Sequence, residues 1–215
     1  MSKQPPYEPG GIYHVYNHAN GSENMFIDEE NYYYFLEKYA KKLNGVVSTL
    51  AYCLMPNHFH LLIKVRSEKT LLDFLAEKKR KDNNLKIPEG LSREALNHYI
   101  VHRQFHNFLG GYAKAFNKYH NRKGSLVRQN TKRKMVDTAR YLTNVIRYLH
   151  LNPVLHKFTK TPESWPHSSY HVFLDDKCET RIPKAEILEW FGSVEGFLNF
   201  HQEKLSYGLI PALER

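Results

Sequence analysis

Two histidines stand one residue apart in the stretch Asn57-His58-Phe59-His60-Leu61-Leu62-Ile63. A β-strand alternates its side chains between two faces, so His58 and His60 project together and Phe59 and Leu61 project the other way. Imidazole is the commonest nitrogen ligand for divalent metals, and two of them on one rigid strand make half of a metal site. A strand with two polar residues on its wetter face has the same spacing, so the pair alone does not decide. Further along, Tyr148 and Asn152 are four residues apart in a helical pattern and share one helix face. Asn152 offers a carbonyl oxygen. Two imidazoles and an amide oxygen, with no thiolate, suit Mg2+ or Mn2+ better than structural zinc. The Tyr148 phenol, with an ordinary pKa of about 10, becomes a nucleophile only where a cation or base helps to remove its proton. The chain has 15 tyrosines, and on spacing alone a core aromatic is the better account of Tyr148.

The elements that must hold these residues are legible from periodicity. Residues 11–17 alternate and are aromatic or β-branched, which predicts a strand. Asp28 is a suitable N-cap for a helix running to about Leu43, with Tyr32, Phe35, Leu36, Tyr39 and Leu43 at helical spacing. Residues 46–54 and 58–65 read as two strands joined by a turn at Met55-Pro56-Asn57, an antiparallel hairpin. A helix starts at Thr70, and the cationic run from Lys78 to Asn84 is expected to dissolve it into a mobile insertion. Helical spacing resumes from Leu96 to Tyr119, with Gly110-Gly111 expected to kink it or to admit a close backbone approach. Leu126-Val127 and Met135-Val136 read as short strand ends. Asp137 or Thr138 caps a helix from Ala139, and Pro153 is expected to end it at Asn152. Two short helices are expected at Lys184–Phe191 and Val194–Tyr207.

The whole chain bounds the partners. At 215 residues it suits one domain, or one domain with an appendage. The formal charge is +9, from 31 Lys+Arg against 22 Asp+Glu, which points to a polyanion and first to nucleic acid. The densest positive stretch runs from Lys118 through Arg122, Lys123, Arg128, Lys132 and Arg133 to Lys134, interleaved with polar residues and Gly124. That pattern suits phosphate contacts. Cys53 and Cys178 have no short spacing, so neither a disulfide framework nor a cysteine zinc site is expected, and a reducing cytoplasm fits. The N-terminus lacks the apolar region of a signal peptide, and no stretch approaches the ~18 apolar residues of a membrane span.

Three segments carry a resemblance. Tyr13-His14-Val15-Tyr16-Asn17 is the first, and Met55-Pro56-Asn57-His58-Phe59-His60-Leu61-Leu62 is the second. The third is Arg147-Tyr148-Leu149-His150-Leu151-Asn152-Pro153-Val154, followed by Trp165-Pro166-His167-Ser168-Ser169-Tyr170. Together they resemble the IS200/IS605-type HUH transposases with a single catalytic tyrosine (Y1), and among these the REP-associated tyrosine transposases. The resemblance spans about residues 11–175. It implies an α+β fold, a ferredoxin-like antiparallel sheet with helices on one face, in a catalytic domain over 1–175 with an insertion near 76–100 and a helical tail over 176–215. It implies that His58 and His60 bind a divalent ion, Mg2+ or Mn2+, that Asn152 is the third ligand where many relatives carry Gln, and that Tyr148 is the nucleophile. The implied substrate is single-stranded or hairpin DNA, cut to a 5′-phosphotyrosine and a free 3′-OH and then rejoined. The basic residues 118–134 would hold its backbone. The protein would act in the cytoplasm as a monomer or homodimer. Val154-Leu155-His156 departs from the Val-Arg-Ala common in relatives. Two other classes stay open: a domesticated, non-catalytic nucleic-acid binder, and a phosphoesterase using water in place of tyrosine.

Overall fold

The computed structural model describes residues 4–175 and 177–203. Its strands are β1 (Ile12–His18), β2 (Val47–Met55), β3 (His58–Val65) and β4 (Lys132–Met135). Its helices are α1 (Glu29–Leu43), α2 (Glu68–Lys81), α3 (Arg93–Tyr119), α4 (Ala139–Leu155), α5 (Tyr170–Leu174), α6 (Lys184–Glu189) and α7 (Val194–Gln202). The four strands form one antiparallel sheet in the order β2-β3-β1-β4. Because β3 inserts between β1 and β2, the β1-α1-β2 connection is split, as in ferredoxin-like folds. Among the described residues no helix is long and apolar enough to cross a membrane.

Strand parity divides the sheet into two chemically different faces. Tyr13 and Val15 of β1 and Phe59, Leu61 and Ile63 of β3 point toward α1 and α3, where they meet Phe35, Tyr39, Phe108 and Tyr112 in one core. The opposite parity carries the histidines, together with Ala51, Cys53, Met55 and Leu62 under α4. One extra residue in β2 makes this possible. Thr49 pairs with Ile63 and Ala51 with Leu62, so Leu50 bulges out and the strand switches parity there. The α+β class and the antiparallel sheet match the sequence expectation. The helices expected on one face cover both, with α1 and α3 on one side and α4 on the other.

The structure changes several boundaries. α2 stays helical through Lys81, so the cationic run is a helix end and the loop begins at Asp82. Cations in a last turn complement the carbonyl end of the helix dipole. α4 runs past Pro153 to Leu155. Proline removes one amide donor, and the turn beyond it is retained by His156 N–H donating to the Asn152 carbonyl at 2.9 Å. Asn152 therefore remains helical, one turn from Tyr148. α6 and α7 bury Ile187 and Phe197 in the core beneath α4. An exposed ion pair such as Lys64–Glu186 at 3.0 Å contributes at most ~1 kcal/mol. Each buried apolar side chain contributes roughly 1.5–3 kcal/mol, so burial is what holds this region. The expected helix residues beyond Glu203 lie outside the described residues.

Gly110 and Gly111 sit exposed in an unbroken α3, and a Cβ added to either would meet no atom within 4 Å. They neither kink the helix nor admit a close approach. Gly111→Ala should therefore stabilise the fold by about 0.5–1 kcal/mol, raising the thermal midpoint by roughly 1–4 °C. A calorimetric scan showing a lower midpoint would reveal a packing role for that glycine.

Candidate active site

β1 and β3 pair with Tyr16 opposite His60 and His18 opposite His58. The same face therefore carries His14, Tyr16 and His18 beside the His58–His60 pair. The His58 and His18 rings stack at 4.6 Å, and His60 lies 5.1 Å from His14 and 5.6 Å from Tyr16. Above this face α4 lowers Tyr148, whose ring meets His60 edge-on at 5.5 Å and His14 at 6.1 Å. Tyr148 and Asn152 are both fully buried. The two histidines, the tyrosine and the asparagine named from the sequence are thus brought together.

Hydrogen bonding sets the tautomers. His58 Nδ1 lies 2.6 Å from Asn57 Oδ1. A carbonyl oxygen only accepts, so Nδ1 carries the proton and Nε2 keeps its lone pair. His60 Nδ1 lies 2.9 Å from His14 Nε2. When His60 donates in that contact, its Nε2 is also the ligand atom. Such outer partners are what orient metal-bound imidazoles. Burial holds the His60 pKa well below the ordinary imidazole value, and the neighbouring His14 and His58 push it the same way. Burial lowers His58 to about 3, helped by His18 and His156 and weakly opposed by Asn152, and it lowers His14 to about 3. All three are neutral near pH 7, the state a ligand needs.

No group of three His, Cys, Asp or Glu side chains among the described residues is arranged to hold a metal ion. Neither Oδ1 nor Nδ2 of Asn152 meets a partner in full hydrogen-bond geometry, although the side chain lies close enough to His58 to favour its protonated ring. A buried amide without partners costs ~1–3 kcal/mol, and an oxygen of this kind close to His58, with His60 on the same strand face, fits a hard divalent ion.

The basic residues divide. Lys132 and Lys134 face the histidines, in register with Tyr16 and His14. Arg128, whose amide N–H donates to the His18 carbonyl, and Lys123 are exposed in the preceding loop. Arg122 is engaged within the protein by Glu23, Asn117 and the carbonyls of Gly124 and Ser125. Arg133 lies over the Tyr7 ring at 4.6 Å on the other face of the sheet. Lys118 rims a groove between α1 and α3, also remote from the histidines. The cluster read as one patch is therefore several separate features.

No family model matches the chain. A curated relative from Haemophilus influenzae, described as a putative REP-associated tyrosine transposase, is 25% identical over 149 residues, 67% of each chain. A solved structure of a REP-associated tyrosine transposase bound to a REP hairpin matches with a TM-score of 0.54. The match covers 84% of this chain and 89% of that one at 13% identity, a level that speaks for the fold alone. The chain resembles the REP-associated tyrosine transposases in sequence and shares the fold of one. Sequence reasoning did not assign roles to His14, Tyr16, His18, Asn57 or His156. The alternation His14-x-Tyr16-x-His18 was a usable signal, but only the β1–β3 register shows that it faces the pair.

Two outcomes follow. Asn152→Leu removes the unpaired amide at similar size, so the metal-free protein should gain about 1–3 kcal/mol; an unchanged or lower denaturation midpoint would mean that the amide is satisfied in solution. The second concerns acid. Unfolded imidazoles protonate near pH 6.5, whereas His14 and His58 do so in the fold only near 3. Their contribution is complete above pH ~6.5 and is lost as the pH falls toward 3, about 2 kcal/mol for each at pH 5. Melting in a chelator at pH 7.5 and 5.0 should show the decline.

Proposed function

We propose that the chain is a DNA-binding transposase that cuts and rejoins single-stranded DNA through a covalent bond to Tyr148. The observation that carries this is the placement of Tyr148 against His60, with Asn152 one turn along the same helix beside His58. The sequence relationship to a putative REP-associated tyrosine transposase supports it. The similar fold solved with a REP hairpin makes a strand adjoining a hairpin the substrate to try first.

His58, His60 and Asn152 would hold Mg2+ or Mn2+, which when bound supplies Lewis-acid polarisation of the scissile phosphate. The chain's own residues do the rest. Tyr148 Oη attacks the phosphorus, the phenol gives up its proton, and the bond to the 3′ oxygen breaks. That oxygen takes a proton and leaves as a 3′-OH, while the 5′ side stays on the tyrosine. A second 3′-OH attacks the phosphotyrosine, frees Tyr148 and restores a diester. One phosphate ester replaces another at each step, so no nucleotide hydrolysis is needed. Lys132 and Lys134, on the same sheet face, would neutralise backbone phosphates.

The burial of Tyr148 favours a second reading, a DNA binder that keeps the fold without cutting. Denaturing gels decide between the two. End-labelled single strands from the sequence flanking the gene are incubated with Mn2+ or Mg2+ and wild type or Tyr148→Phe. The expected result is a protein–DNA adduct with wild type, absent with Tyr148→Phe and reduced at least 10-fold by Asn152→Ala. Cleavage that survives Tyr148→Phe would assign the attack to water. Binding without cleavage on every flanking strand would establish the non-catalytic reading.

A further inference from the structure

The segment after α4 carries chemistry that the transposase reading leaves unassigned. The helix ends in a Schellman turn: Lys157 N–H donates to the Val154 carbonyl at 3.0 Å and Phe158 N–H to the Pro153 carbonyl at 2.8 Å. Lys157 occupies the left-handed position of this turn, at φ +62°, where glycine is the usual residue because a Cβ is disfavoured. An apolar residue in the position of Phe158 has a local reason, since it covers the last turn of the helix. Its exposure does not: Phe158 is 44% exposed, between the exposed cations Lys157 and Lys160.

The rings are continuous with the histidine centre. His58 meets His156 at 5.0 Å, His156 lies near-parallel to Phe158 at 6.4 Å and 28°, and Phe158 leans on Trp165 at 5.7 Å and 33°. Trp165 is fixed in turn, its indole N–H donating to the Leu54 carbonyl at the end of β2 at 2.9 Å. A row of aromatic faces flanked by cations is the chemistry that holds single-stranded nucleic acid, with bases on the rings and phosphates on the ammonium groups.

We propose that His156, Phe158 and Trp165 form a nucleobase-stacking platform for the single strand adjoining the bond cut at Tyr148, with Lys157 and Lys160 on its backbone. The occupant rests on the transposase reading, which supplies the single-stranded substrate. The ring contacts run from His58 through His156 and Phe158 to Trp165, which is held at the end of β2, so a phosphate at the histidines would bring neighbouring bases alongside these rings.

The test uses the full chain and flanking-sequence oligonucleotides carrying 2-aminopurine at successive positions, read by anisotropy and by fluorescence quenching. Phe158→Leu should weaken binding by about 5- to 100-fold and abolish quenching at one or two positions, and Phe158→Trp should retain both. Lys157→Asn, which tolerates the left-handed turn, should reduce the salt dependence of log Kd by roughly one unit of slope. Tyr148→Phe should bind and quench like wild type while forming no adduct. Equal binding and quenching for wild type, Phe158→Leu and Phe158→Trp would overturn the platform, as would a wild type that binds no single strand. Quenching that depends on Phe158 without any Tyr148 adduct would uphold the platform and remove only the catalytic reading.

Discussion

The site depends on the antiparallel register between β1 and β3. With a period of two, a slip of one residue would send His58 and His60 into the aromatic core under α1 and α3 and bring Phe59 to the polar face. Core demand therefore specifies the register: Phe59, Leu61, Ile63, Tyr13 and Val15 are all fully buried on the α1–α3 side. The histidines inherit their positions from apolar neighbours of opposite parity. The bulge at Leu50 completes the arrangement, because it returns β2 to the parity that packs Ala51, Cys53 and Met55 under α4.

Given that register, the polar face is held at a cost. A His14 Nδ1 with no partner and an Asn152 amide without full hydrogen bonds are each unfavourable in a buried layer, and below pH ~6.5 the buried imidazoles held neutral add a further cost. Leu142, Val145, Ile146 and Leu149 of α4, all buried against the sheet, together contribute more than these defects subtract. Each buried polar group without a partner calls for an explanation, and completion by a ligand is one. The stabilising apolar contacts and the destabilising polar ones belong to the same helix, which is why the site can be strained without loosening.

Much of this was legible in the sequence, and the misses have physical causes. The His-Phe-His strand, the capped helix after Asp28 and the Tyr148–Asn152 spacing follow from period and capping, which are local. Local rules failed at Pro153, where tertiary packing keeps a turn that the pre-proline preference disfavours, and at Lys78–Lys81, where charge was read as disorder although it suits a helix end. Pairing was the other blind spot. Nothing local says that Arg122 closes its own loop onto Glu23, or that Arg133 crosses to Tyr7 while Lys132 and Lys134 stay with the histidines. The basic stretch looked uniform because charge carries no information about parity.

α4 is the element on which chemistry and stability meet. One side presents Tyr148 and Asn152 to the sheet. Arg147 and His150 tie the helix to α7, with Arg147 Nη1 donating to the Phe200 carbonyl at 3.1 Å and lying over the Phe200 ring, and His150 bonded to His201 and also to Ser169 before α5. These ties flank Tyr148 on either side in sequence. On the proposed reading, a tyrosine nucleophile on so constrained a helix would lose little entropy on reaching its reacting position, which would favour attack once a phosphate arrives. The same constraint means that α4 is poorly suited to swinging outward to meet DNA, since that would break the His150 network and expose Leu142 and Leu149 together. Access to Tyr148 is therefore better supplied by the strand entering between elements beside α4 than by movement of the helix. Phe158, carried on the turn that ends α4, is fixed to the same rigid body as the tyrosine. A base stacked there would be registered against the reacting phosphate by covalent geometry, with no hinge between them.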